Sequence, residues 1–248
     1  RKPREQLQSR DKDLEDIRLA FDGARNYATA CRACADGKGV APDFNARWQA
    51  MTPVLEGKLP LVIEADDIQQ IQAALAFAER ERVKVILVGG YDAAECADLI
   101  KRLGVPVVVA GVHRLPRRID DDYDAPFTLP ARLHELGIKY CIAGADRPSM
   151  VRNLPYQAGT AAAYGLPPDE ALKSITLYPA QIFGVDDRLG SLEAGKDATL
   201  FVSTGDALET PSKVTLAFIG GRRIDLNNRQ QRLWEKYKEK YRRQQQKQ

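Results

Sequence analysis

The residues of this chain best placed to do chemistry are carboxylates at the ends of apolar runs. Glu64 closes the run at residues 59–64, and Asp146 follows the run at 138–143 across a Gly144-Ala turn. Carboxylates so placed can move protons at a reacting group or offer oxygen to a hard or borderline cation. Each also has a plainer reading, Asp146 as the cap of the next helix and Glu64 as a helix-start carboxylate favoured by the macrodipole. Between them lies His113-Arg-Leu-Pro-Arg-Arg-Ile-Asp-Asp-Asp. Here His113, Arg114 and Arg117, with Arg118, could hold a carboxylate-bearing substrate. The same arginines could equally pair with Asp120, Asp121 and Asp122 next door.

Other reactive residue types are few. Only two histidines occur, His113 and His134, and no His-x-His pair is present. Cys31-Arg-Ala-Cys34 has redox or zinc spacing. It stands alone, without a second pair or a nearby His, in an Ala-rich helical stretch where Cys is usually a small hydrophobe. Gly89-Gly90 ends an apolar run but lacks the G-x-G-x-x-G or P-loop context of a nucleotide site.

The elements that must position these residues follow a regular alternation. Residues 1–57 read as helical, with Leu14, Ile17, Phe21, Ala24 and Tyr27 on one face at helical spacing. Apolar, strand-sized runs then recur near residues 59, 83, 105 and 138, each followed by a helical stretch. This pattern is consecutive βα units on a parallel sheet. Four units make either a small open α/β sheet or half of a barrel, which needs eight. After Pro179 the pattern changes to short strands: a hairpin at 189–202 around Glu-Ala-Gly-Lys, a strand at 214–219, and a Gly220-Gly221 turn into 222–226. Residues 58–185 are thus the α/β part, 186–226 a small β module, and 227–248 a terminal helix.

Charge is distributed unevenly. The chain carries net +3, but residues 228–248 hold eight Lys/Arg against two Glu, leaving a mildly acidic body. The tail reads as a solvated terminal helix, with Trp234, Tyr237 and Tyr241 as a packing face. Nucleic acid is not an expected partner, because no base-reading motif accompanies the charge. No apolar run approaches the roughly 20 residues that span a membrane. The chain opens on Arg1 with no signal core after it, so it is expected to be trimmed or a fragment. Its compartment stays open between cytoplasm and periplasm.

One series of motifs is more specific. Gly144-Ala-Asp146, Asn153-Leu-Pro-Tyr-Gln-Ala-Gly, Gly165-Leu-Pro-Pro-Asp-Glu-Ala-Leu, Ile175-Thr-Leu-Tyr-Pro-Ala-Gln-Ile-Phe-Gly, Leu189-Gly-Ser-Leu-Glu-Ala-Gly-Lys-Asp-Ala and Ala217-Phe-Ile-Gly-Gly-Arg-Arg occur in this order. The series resembles the C-terminal third of imidazolonepropionase-like amidohydrolases. The resemblance implies an α/β fold, the C-terminal half of a TIM-like (β/α)8 metal-dependent hydrolase barrel, with strands five to eight in residues 58–185. It also implies part of a composite β-sandwich at 186–226 and a helical insertion at 1–57. The implied activity is hydrolysis of non-peptide C–N bonds, in cyclic amides, by a metal- or carboxylate-activated water. By the same resemblance Asp146 is the strand-eight carboxylate, and Glu64 stands where strand five usually ends in a His. Glu64 and Asp146 are then the metal ligands this chain can offer to a divalent ion such as zinc. The remaining ligands, and strands one to four, would come from a missing N-terminal half or a partner chain. The alternative reading is a catalytically inactive amidohydrolase-like binding or structural protein.

Overall fold

Short β-branched runs pair into a parallel sheet. A computed structural model describes residues 3–144 and 148–246. Its first sheet holds β1 (Leu61–Ala65), β2 (Val85–Gly89), β3 (Val107–Val109) and β4 (Tyr140–Ile142), in the order β1-β2-β3-β4. β1 and β2 run parallel with Leu61 opposite Val85 and Glu64 opposite Val88. β3 follows in step, Val108 opposite Val88. The chain enters β4 beside β3 through the Val107 N–H, which donates to the Lys139 carbonyl at 2.9 Å. Each of the first three strands leads into a helix: α3 (Ile68–Glu81), a 3-10 turn Ala93–Cys96 running into α4 (Ala97–Leu103), and α5 (Ala125–Glu135). Of the helical stripe Ile68, Ile71, Leu75 and Ala78, α3 buries the last three and leaves Ile68 39% exposed. Full burial of such a side chain stabilises by about 1.5–3 kcal/mol.

The chain divides into two compact units. One holds everything up to Ala110 together with Arg132–Tyr140; the other holds Gly111–Ala131 and the chain from Cys141 onward. In the first unit two helices precede the sheet, α1 (Pro3–Ala35) and α2 (Ala46–Leu55). Phe21 of α1 meets Phe77 of α3 edge-on at 5.3 Å. Tyr27 packs on Trp48 of α2 at 5.9 Å. A Cβ at Gly23 would come within 2.9 Å of the Trp48 indole, so this crossing requires glycine. Only part of the expected α1 stripe is covered: Phe21, Ala24 and Tyr27 are buried, while Leu14 is 57% and Ile17 45% exposed.

A buried charge ties α1 to α3. Glu81 is 7% exposed and accepts from Arg25 at 2.6 Å and from Arg80 at 2.8 Å. Burial alone would push its carboxyl up, but the bonds from Arg80 and Arg25 outweigh this and hold it below its ordinary value. A carboxylate held low in the folded state adds stability above its unfolded value and loses it as pH falls through the folded one. Glu81→Gln is therefore expected to cost about 1–2 kcal/mol at neutral pH. That difference should close as pH falls below about 4.3. Urea denaturation across the pH range checks this; a gap that is constant with pH contradicts it.

In the second unit, α6 (Leu154–Ala163), α7 (Pro168–Ser174) and α8 (Leu177–Phe183) precede an antiparallel sheet of β5 (Leu200–Ser203), β6 (Val214–Ile219) and β7 (Arg222–Arg223). The last element is α9 (Arg229–Gln245). The expected hairpin at 189–202 is corrected: its first arm is not a strand, and only β5 forms. The segment is held instead by the Asp197 N–H donating to the Arg188 carbonyl at 2.9 Å and by an Arg188–Asp197 ion pair at 2.7 Å. None of the residues in β5, β6 or β7 is buried.

Candidate functional site

The strand register decides where Glu64 faces. Successive side chains on a strand point to opposite faces. Leu61 and Ile63 face α1 and α3, where they line a hollow of about 730 Å³ with Leu14, Ile17, Phe21 and Phe77. Val62 and Glu64 therefore lie on the other face of the sheet. Val62 is 54% exposed, and Glu64 is exposed as well. Glu64 stands opposite Val88, and Val88 opposite Val108, so its neighbours across the strands on that face are apolar. No other residue of β1, β2 or β3 carries an ionisable side chain.

Glu64 is thus the single charge on the inner face of these three strands, one residue from the C-terminal end of β1. Among the described residues it makes no hydrogen bond or ion pair. Such a carboxylate, with its lone pairs free, fits one position of a divalent-ion site or an acid/base role. The described residues do not complete a metal site: nowhere do they gather three or more His, Cys, Asp or Glu side chains for an ion. Asp146, the other expected carboxylate, lies outside the described residues.

The turn after β1 is built to be rigid. Asp66 Oδ1 accepts from the Tyr91 N–H at 3.2 Å, and the Asp66 carbonyl accepts from the Asp92 N–H at 2.9 Å. Asp92 is 7% exposed and accepts from the Ile68 N–H at the start of α3. Gln70 reaches back to accept from the Asp66 N–H at 3.0 Å. Gly89 and Gly90 make this packing possible, with φ of 102° and 68°. A Cβ on Gly89 would lie 2.8 Å from Asp66 Oδ1, and one on Gly90 would lie 2.6 Å from Val107 Cγ1. The glycine pair that drew attention as a strand-end cluster serves close packing against Asp66 and Val107.

The loop after β3 carries the other expected site residues. Val112 is buried, and its N–H donates to Gln157 Oε1 at 2.7 Å. Gln157, itself 1% exposed, and Thr160 stand about one turn apart on α6. Thr160 Oγ1 meets His113 Nε2 at 2.8 Å. These two α6 residues fix the start of the loop, a role the sequence reading missed although it quoted the Asn153-to-Gly159 motif. Arg114 is half-buried and Arg117 exposed. The Arg117 and Arg118 N–H groups donate to Asp121 Oδ2, and the Arg118 guanidinium lies 3.6 Å from Asp121 Oδ1. The local Arg–Asp pairing left open by the sequence is therefore present for Arg118.

The two buried thiols are unsuited to chemistry. Burial pushes the Cys141 thiol on β4 up to about 12, and Cys96 is raised by burial with Asp92 and Glu95 close by. Thiols held protonated are poor nucleophiles and poor metal ligands. Cys31 and Cys34 are free and half-exposed on α1.

Comparison with known proteins adds the family. Residues 61–224, well over half of the chain, match the model described as "Amidohydrolase family". The chain belongs to the amidohydrolase family. A crystal structure of an amidohydrolase from Thermotoga maritima is 25% identical, with a TM-score of 0.77 over 85% of this chain and 55% of that one. An adenosine deaminase from Xanthomonas campestris with bound zinc is 20% identical, with a TM-score of 0.50 over 73% of this chain and 50% of that one. A stretch of 39 residues is 54% identical to N-acetylglucosamine-6-phosphate deacetylase of Haemophilus influenzae, covering 16% of this chain and 10% of that protein. This amidohydrolase-family chain spans about half the length of the two solved structures. Its four βα units correspond to part of a TIM-like barrel.

Proposed function

We propose that this chain is the strand-five-to-eight half of an imidazolonepropionase-like amidohydrolase. The assembled protein then hydrolyses carbon–nitrogen bonds other than peptide bonds, in cyclic amides. The observation that carries this reading is Glu64, a carboxylate without a partner among the described residues, beside the C-terminal end of a barrel strand. This fold keeps its active sites at those ends. The motif series from Gly144 to Arg223 supports the subtype.

In this reading Asp146 is the general base and acid. It accepts a proton from the attacking water and returns it to the leaving nitrogen. Glu64 holds the water, or the ion that binds it, from the inner face of β1. His113, Arg114 and Arg117 bind a carboxylate on the substrate, with His113 oriented by Thr160. From this chain Glu64 and Asp146 would hold a divalent metal such as zinc. Bound there, the metal would supply an acidified water and a polarised carbonyl.

Two surfaces support a completing polypeptide, whether part of the same chain or a partner. β1 pairs only with β2 among the described residues, with Val62 exposed on one face of the sheet and Leu14 and Ile17 of α1 exposed on the other. An unpaired strand edge seeks a further strand. The β5–β7 sheet, which buries none of its residues, supports a sandwich whose second layer comes from the same completing half.

Elemental analysis of the assembled protein tests the ligand assignment. At most one divalent ion per chain is expected, because Glu64 replaces the usual His and β2 ends in Gly89. Two stoichiometric ions would overturn it. A normally folded protein with neither ion nor turnover moves the reading to an inactive amidohydrolase-like binding protein.

A further inference from the structure

The terminal helix is the feature that the hydrolase reading does not use. α9 runs from Arg229 to Gln245, is capped by Asn228, whose side chain accepts from the Gln231 N–H, and has no buried residue. At about 100° per residue, Leu233, Tyr237, Tyr241 and Trp234 fall within an arc of roughly 100°. They are 40%, 47%, 59% and 56% exposed. The face is open in this chain.

The charges are sorted around that arc. Lys236 and Lys240 follow one edge of it and Lys238 the other, while Arg232, Arg242 and Arg243 stand farther round, beside the acids. Glu235 and Glu239 lie opposite the aromatic face. Glu239 is occupied there by Arg242 at 3.0 Å and Arg243 at 2.7 Å. Lys238 and Lys240 lean along the aromatic side, their ammonium groups 4.6 Å from the Trp234 ring and 5.9 Å from the Tyr237 ring. Aromatic residues on one face, lysines along both edges and ion-paired charges at the back are the arrangement of a helix lying in a lipid headgroup layer. A nucleic-acid-binding helix would instead centre its cations on the contact face. No helix of the described chain is long and apolar enough to cross a membrane, so α9 would lie along the surface.

We propose that α9 docks this chain onto anionic lipid surfaces. The net positive charge of the tail complements anionic headgroups, while Leu233, Trp234, Tyr237 and Tyr241 enter the headgroup–acyl boundary. This inference is independent of the hydrolase reading.

The test uses the full chain and vesicles of phosphatidylcholine with or without phosphatidylserine. Co-sedimentation with the anionic vesicles is expected, with a blue shift of tryptophan emission that disappears in Trp234→Ser. Replacing Lys236, Lys238 and Lys240 with Gln is expected to weaken partition by about a hundredfold, since each cation near an anionic surface contributes on the order of fivefold. None of these residues is buried, so the variants should fold normally, which circular dichroism checks. Equal binding to neutral vesicles, or binding without the Trp234 shift and equally to a soluble polyanion, would overturn the proposal. Preferential capture of single-stranded nucleic acid in competition with the anionic vesicles would overturn it as well.

Discussion

Replacing Asp146 with Asn in the assembled hydrolase is expected to lower kcat by about 10²- to 10⁴-fold, the range supplied by a positioned acid/base group. The amide keeps the size of the carboxylate but can neither take the water proton nor return one to the leaving nitrogen. Substrate binding rests on other residues, so KM should move little. This split distinguishes a catalytic from a structural role: a carboxylate that only capped the next helix would, when replaced with Asn, leave kcat nearly intact, since Asn caps as well as Asp. Steady-state kinetics on a cyclic amide, with circular dichroism as the folding control, make the comparison. Equal kcat in the two proteins contradicts the assignment.

The second large effect is on stability. Gly90→Ala is expected to destabilise the fold by about 3 kcal/mol, from left-handed backbone strain plus overpacking. The φ of 68° disfavours any L side chain. The added Cβ would lie 2.6 Å from Val107 Cγ1 and 3.4 Å from Ala93 Cβ. Val107 is fully buried at the start of β3 and has little room to withdraw. A urea denaturation curve measures the change. A shift below about 0.5 kcal/mol would be ordinary for a surface position and would mean that β2 and β3 are not packed as described.

Much of this architecture is legible in the chain, and the reasons differ by element. β2 and β3 show as β-branched runs because both of their faces are covered, and β1 reads the same way although its Val62 and Glu64 are exposed. α3 shows through Ile71, Leu75 and Ala78. α8 does not, because Pro179 reads as a breaker. It stands at the third residue of that helix, where a missing N–H costs nothing. The 189–199 segment misleads in the other direction: its alternation suggests a strand, yet the Arg188–Asp197 pairing and the Gly190 and Gly195 positive-φ positions give it a different path.

The candidate site was legible by residue type, not by geometry. Glu64 was singled out for ending an apolar run. Its isolation among Val62, Val88 and Val108 requires the strand register, which sequence spacing alone leaves free. Gln157 gave no signal, since a polar residue in an Ala-rich helix looks solvent-facing until the buried Val112 N–H is found in front of it. Arg117 and Arg118 were open to two partners. Asp121, three to four residues on, takes the nearby bonds because a short loop brings it close at little entropic cost.

The central claim is that this fold hydrolyses a C–N bond with water as the nucleophile. Its most direct test is ring opening of a cyclic amide by the assembled protein in ¹⁸O-labelled water, read by mass spectrometry. The account predicts an opened product bearing the label in its new carboxylate. Saturable binding of the same cyclic amide to folded protein, with the ring recovered intact and unlabelled, would contradict it.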